Sequence, residues 1–486
     1  MGTKRELISG VLYTAFGKYS GIIISTIISS FLSRLITPRE FGLLAMVTVF
    51  TALFQIIGDV GIGAAVIQKK EFGQKEFNNI FTFTIFLGLI MAGAFFLCAK
   101  PIAIFYHEPR LVEICRWLSL PFLIGSIGSI PGALLSRNKE FRFIAIRGVS
   151  IQIFVGVISI AAAFLGFGIY ALIIQSILST FLATIINYIH HPLYIRFKGL
   201  WVTMSSIASF SIYVFLFNII NYFSRNLDNI LIGRYINAMQ LGYYNKAYSL
   251  MMMPLSNITF IITPVMQPIF SDFQNNLRVL ADNYIKLLSM LAYVSFPVAV
   301  IAFFVSEETI LILFGNQWIP AIYPFKVISL TIATQIMIST TGSIYMSSNN
   351  TKAYFIGGLC CTTCVVTCFI IAIVFWGTIN AVAWGFFIGQ IANTIISFYI
   401  LFRKLRYPII NFMKKLIRPI LIAVCLALVL FAIDKITTNW NIVMTFTIKI
   451  LLSIVLTLVL VQRYSEYDAV GYLKLKWKGF KEKHKI

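Results

Sequence analysis

Apolar stretches of about twenty or more residues recur from the N-terminus to residue 463, with only short polar segments between them. A stretch of that length crosses a hydrocarbon core of about 30 Å as a helix, and within lipid each backbone N–H and C=O must be satisfied inside that helix. Fourteen spans can be marked, the first at 10–36 and the last at 441–463, with 112–135, 144–166, 206–236, 240–266 and 320–347 among those between. The first is too long for a signal-peptide core and lacks a small-residue cleavage pattern after it, so it is expected to stay in the mature protein. The composition fits the same class: at 59% hydrophobic and 12% charged, the chain cannot cover a soluble core of this size with polar surface. The expected fold is all-α and integral to the membrane.

The net charge of +22 does not mark a nucleic-acid surface, because the bases lie in alternate loops. They gather in the N-terminus, near 68–78, 136–147, 191–200, 271–286 and 348–353, in 403–418, and in the C-terminal tail, while an intervening loop of about fifteen residues near 305–320 carries Glu307 and Glu308. Loops rich in Lys and Arg stay in the cytoplasm, so both termini are expected there. The tail "KLKWKGFKEKHKI" is expected on anionic lipid headgroups, with no nucleic-acid partner. Glu307 and Glu308 read as a solvated pair.

An internal repeat divides the chain. "LSRLITPREFGLLAMV" from Leu32 aligns without a gap on "IGRYINAMQLGYYNKA" from Ile232, matching Arg34 to Arg234 and Gly42 to Gly242. Thr37-x-x-Glu40 and Asn237-x-x-Gln240 read as capping boxes, the first with Pro38 at the first helical position. Each unit has six spans. An even number returns the second to the starting side, so the repeats are parallel. The expected organisation is a lobe at 1–200, a second at 201–403, two further helices at 404–463 and a basic cytoplasmic tail at 464–486.

"NIINYFSRNLDNILIGRY", residues 218–235, sets polar groups into an apolar helix. At 100° per residue Asn218, Asn221, Arg225, Asp228 and Asn229 fall within an arc of about 100°. The repeat places Lys18, Gly21, Ser25 and Ser29 on the matching arc of the first span. Lys18 and Asp59 lie nearly equidistant from the turn between the first two spans, so a pair at one depth is expected. Such charges either neutralise one another or line a wet cavity between the lobes, with Lys246 close by. A charge in mid-bilayer costs about 2.5–3.5 kcal/mol. One cation–phosphate contact at 6 Å and an effective dielectric of 20 returns about 3 kcal/mol.

"SRLITPREFGLLAMVTVF", "DVGIGAAVIQK", "GYYNKAYSLMMMPLSNIT" and "LFGNQWIPA" resemble the polysaccharide transporters of the multidrug/oligosaccharidyl-lipid/polysaccharide exporter superfamily, in its Wzx-type branch of colanic and teichuronic acid exporters. The resemblance spans nearly the whole chain and implies a MATE/MurJ-like fold of about fourteen helices, two six-helix lobes plus two C-terminal helices. It implies a flippase of the bacterial cytoplasmic membrane that moves polyprenyl-diphosphate-linked oligosaccharide to the outer leaflet by alternating access, without cofactor or metal, and in company with polysaccharide polymerase machinery. Asp59 lies within the matching "DVGIG" segment; Lys18 and Arg225 come from periodicity and repeat symmetry alone.

A cation antiporter of the same superfamily would need a carboxylate-rich lumen, and here Lys18, Arg225 and Lys246 stand against Asp59 and Asp228. A polymerase, ligase or glycosyltransferase would need a larger outer loop or a catalytic acid at the interface. Cys360, Cys364 and Cys368 share a helical face without a His or carboxylate nearby in sequence, and read as small packing residues. His190 and His191 read as interfacial.

Overall fold

The structure, a computed structural model, describes residues 2–59, 62–201, 222, 226–273, 276–347, 351–438 and 440–464. All regular structure among them is helical. Eleven helices are long and apolar enough to cross a membrane, or twelve if the bent pair Asn316–Ser329 and Ile332–Ser347 is one span. The expected span 240–266 lies inside a 34-residue helix, Ala238–Ser271. Most of the expected span 206–236 lies outside the described residues, as does the tail from 465. The chain divides into two compact units, Met1–Gly242 and Tyr243–Ile486.

The first unit contains α1 (Gly2–Leu35), α2 (Pro38–Asp59), α3 (Ile62–Gln68), α4 (Gln74–Tyr106), α5 (Leu111–Trp117), α6 (Leu120–Arg137), α7 (Phe141–Phe164), α8 (Ile169–His190) and α9 (226–235). Small residues let the helices approach, because between lipid-bathed helices close packing replaces the hydrophobic drive. Gly17 backs onto Ala145, Gly21 accepts the Gln152 side-chain amide through its carbonyl at 3.0 Å, and Ile28 fills the space beside Gly156, so α1 and α7 run parallel and in register. Arg137, at the end of α6, donates to the carbonyls of Val66, Lys69, Lys70 and Phe72 and so closes the turn after α3.

The first capping box forms in full, and the second shows its N-cap half. The Thr37 amide donates to Glu40 at 3.1 Å and the Glu40 amide to Thr37 Oγ1 at 3.4 Å, while the Gln240 amide donates to Asn237 Oδ1 at 2.8 Å. Glu40 also accepts from the Ile169 amide at 3.1 Å, which joins the starts of α2 and α8. The two motif copies then meet: a Cβ on Gly42 would stand 1.6 Å from the Ala238 carbonyl oxygen, and one on Gly242 2.0 Å from that of Pro38. The same offset of 200 that relates the motifs relates the two contacts.

The second unit holds the rest of α10 (Ala238–Ser271), then α11 (Leu277–Phe304), α12 (Ser306–Leu313), a 3-10 turn (Asn316–Ala321), α13 (Ile322–Ser329), α14 (Ile332–Ile338), α15 (Thr341–Ser347), α16 (Thr351–Trp376), α17 (Ile379–Lys404), α18 (Ile409–Ile436) and α19 (Ile442–Tyr464). Gly385 and Gly389 of α17 seat against the backbone of Cys368 and Val365 of α16, and the buried Cys361 thiol packs against Ser397, while Cys360 is exposed. Phe270, Tyr284, Phe398, Phe402 and Phe412 form the aromatic heart of the unit's core.

The expected span 112–135 lies within Leu111–Arg137, which is long and apolar enough to cross, with a short interruption after Trp117 where the Pro121 ring lacks an N–H and clashes with the carbonyl four residues back. One expectation is corrected: the span 320–347 is bent by 48° and split. There Ser329, Thr331, Thr334, Ser339, Thr340 and Thr341 each turn a hydroxyl back to the carbonyl three residues earlier, competing with the helical ladder.

Candidate functional site

Of the expected cavity residues, Asn218, Asn221 and Arg225 lie outside the described residues, as does the Asp59 side chain at the end of α2. The expected Lys18–Asp59 pair lies there with it. Lys18 itself is half-buried on the open side of α1, on one face with exposed Ser25 and half-buried Ser29. Asp228 and Asn229 are shut inside the first unit at 2% and 7% exposure. Asp228 Oδ1 accepts from the Asn229 amide at 2.8 Å, and Asn229 Oδ1 is buried without a partner among the described residues. Beside them Tyr222 donates its hydroxyl to the Val49 carbonyl of α2.

Lys246, in the second unit, is buried with its ammonium over the rings of Phe314 at 4.7 Å and Trp318 at 5.4 Å. Those rings belong to "LFGNQWIPA", whose Gly315, at φ +90°, makes the left-handed turn that ends α12. A desolvated ammonium on aromatic faces gains about 2 kcal/mol.

The segment near 305–320 is folded rather than an open loop, and Glu308 is buried at 6% exposure, which overturns the solvated pair. Lys449 of α19 donates to Glu308, to Asp434 at the end of α18 and, at 3.1 Å, to the Phe304 carbonyl. The last two helices are thereby tied by charge to the second repeat. Glu308 Oε2 is buried with no partner among the described residues.

Arg147 is the residue that the sequence reading missed, having counted it with the loop 136–147. The structure places it in the second turn of α7, where Nε and Nη1 are buried and meet no hydrogen-bond partner among the described residues. The register of α1 on α7, Gly17 at Ala145 and Gly21 at Gln152, sets Arg147 level with Lys18. Two cations thus stand at one depth on neighbouring parallel helices of the first unit. A buried guanidinium nitrogen without an acceptor costs more than about 1–3 kcal/mol.

Below that level the expected interfacial histidines hold Glu140: its carboxylate accepts from His190 at 2.5 Å and His191 at 2.9 Å, with Asn138 at 3.3 Å. Burial alone would raise the Glu140 pKa; the hydrogen bonds from His191, His190 and Asn138 outweigh it and hold the carboxyl below its usual range. Glu140, His190 and His191 bring one ligand atom each within 4.8 Å of one another, a set able to hold a divalent transition metal.

The whole chain is similar to known proteins. It is 25% identical over 455 residues to the teichuronic acid biosynthesis protein TuaB of Bacillus subtilis, covering 90% of this chain and 91% of that one. It is 26% identical over 407 residues to the lipopolysaccharide biosynthesis protein WzxC of Escherichia coli, covering 83% and 82%. The fold matches that of the lipid II flippase MurJ in an inward closed conformation, with a TM-score of 0.71 at 16% identity over 93% of this chain and 98% of that one. Residues 31–323, well over half of the chain, match the model of a family described as polysaccharide biosynthesis protein, and to that family this multi-pass membrane protein belongs.

Proposed function

We propose that the protein is a flippase that carries a polyprenyl-diphosphate-linked oligosaccharide across the bacterial cytoplasmic membrane, from the leaflet on the side of its basic loops to the outer leaflet. Its relatives named for teichuronic acid and lipopolysaccharide biosynthesis, and the flippase fold, support that substrate class. The observation that carries the reading is Arg147, whose buried Nε and Nη1 meet no partner among the described residues, level with Lys18. Both termini are then cytoplasmic, the tail 464–486 lies on anionic lipid, and the glycan passes on to polymerising machinery outside. By repeat symmetry Asp59, Asn218, Asn221 and Arg225 are assigned to the same polar path, whereas Asp228 and Asn229 are interior to the first unit and Lys246 belongs to the second. The work is translocation, by alternating exposure of a cationic site to the two membrane faces, with no covalent step.

A charge-assisted hydrogen bond contributes about 1.5–3 kcal/mol, or about ten- to a hundredfold in an equilibrium. Arg147→Ala is therefore expected to slow flipping of a labelled polyprenyl-diphosphate glycan in proteoliposomes at least tenfold at normal membrane levels. Arg147→Lys, which keeps the charge and loses the fork, should retain part of the rate. Full activity in Arg147→Ala would remove this residue from the substrate path.

A further inference from the structure

The helix α18 has 28 residues. At 1.5 Å per residue it is about 42 Å long, some 12 Å more than the hydrocarbon core it crosses. The excess falls at its N-terminal end, where Asn411, Lys414, Lys415 and Arg418 recur at i, i+3, i+4 and i+7 and so form one stripe at headgroup depth. Phe412, Leu416 and Pro419 are buried on the neighbouring face and fix the helix to the unit. On the other flank Ile410, Met413 and Ile417 are more than half exposed, an apolar strip alongside the cations.

The stripe closes on something. Ile285, Ser289 and Tyr293 of α11, one face at i, i+4 and i+8, together with Tyr407 and the four polar residues of α18, enclose a cavity of about 410 Å³. That is the volume of a small-ligand site. Three cations, two phenols, a hydroxyl and an amide line it, and no carboxylate does. The nearest acid on the α11 face, Asp282, is engaged by the Tyr407 hydroxyl. All of these residues belong to the second unit, whereas Lys18 and Arg147 belong to the first.

We propose that this cavity binds the phosphate headgroup of a membrane lipid, its chains lying along the exposed Ile410, Met413 and Ile417. Cations and hydroxyls in a pocket match phosphate oxygens, and the adjoining apolar strip separates a lipid phosphate from a free one. The headgroup chemistry is shared by an anionic glycerophospholipid and by a polyprenyl diphosphate. The site does not depend on the transport reading.

The test is lipid binding to the full chain in detergent, followed by native mass spectrometry, with phosphatidylglycerol and undecaprenyl diphosphate as probes and phosphatidylcholine as the zwitterionic control. At least one anionic lipid should bind at least tenfold more tightly than phosphatidylcholine, and the triple variant K414Q/K415Q/R418Q should lose that preference. Ser289→Leu, which fills the cavity and leaves every charge, should lose it as well. Displacement of phosphatidylglycerol by undecaprenyl diphosphate assigns the site to the diphosphate headgroup, and resistance assigns it to the glycerophospholipid. Phosphatidylglycerol binding reports on this cavity and flipping reports on Arg147, so failure of the transport reading and failure of this site are separable. Unchanged lipid preference in both cavity variants, or competition by inorganic pyrophosphate as effective as that by lipid, would overturn the proposal.

Discussion

Lys449 is a cation inside a membrane span that gains nothing from substrate, because two carboxylates and a carbonyl already hold it. Removing one partner of a buried pair costs about 3–5 kcal/mol, and of the two carboxylates left behind Glu308 is the buried one. Lys449→Met is therefore expected to lower the thermal unfolding midpoint in detergent sharply, by leaving Glu308 and Asp434 without their cation. The combination of Lys449→Met with Glu308→Gln and Asp434→Asn should recover most of the loss. A single variant as stable as the parent would mean that the cluster adds nothing to folding. Arg147 is the opposite case: its buried nitrogens have no such partners, which is why its loss should be read in transport rather than in unfolding.

Among the elements, the repeated turn before α2 and α10 does two jobs. Its capping boxes start the helices, and its glycines let the two helix starts touch, with the Pro38 and Ala238 carbonyls standing where side chains would be. Gly42→Ala and Gly242→Ala should each reduce the yield of folded protein and its melting temperature, because the atom met is backbone and cannot swing aside. Gly93→Ala, in α4 with open space around it, should be neutral or stabilising by about 1 kcal/mol. Equal behaviour of Gly42→Ala and Gly93→Ala in a melting assay would refute the contact. These boxes were legible in the sequence because a cap is a local pattern of four residues, and the repeat made it visible twice. The role of Glu308 was not, since its partner Lys449 is 141 residues away and only the fold brings them together. Arg147 was hidden for a different reason: hydropathy moves a charged residue out to the loop, whereas the helix start is set by the backbone turn at Lys139, at φ +60°, and by Glu140.

For the whole molecule, the long apolar helices of a multi-pass membrane protein were readable from composition and period. What the charges face was less readable, because helical periodicity gives a residue's angle but not its neighbour. Asp228 and Asn229 share the stripe predicted for a cavity and are nonetheless interior to the first unit. The proposed flippase, with Arg147 and Lys18 at one depth of the first unit, is expected to take a phosphate-bearing cargo rather than a cationic drug. Transport itself decides this most directly. Purified protein in proteoliposomes, loaded in one leaflet with a fluorescent polyprenyl-diphosphate oligosaccharide, should move the label to the other leaflet well above protein-free vesicles, and should not accumulate a lipophilic cation under a proton or sodium gradient. No flipping above protein-free vesicles, together with gradient-driven uptake of the cation, would contradict the account.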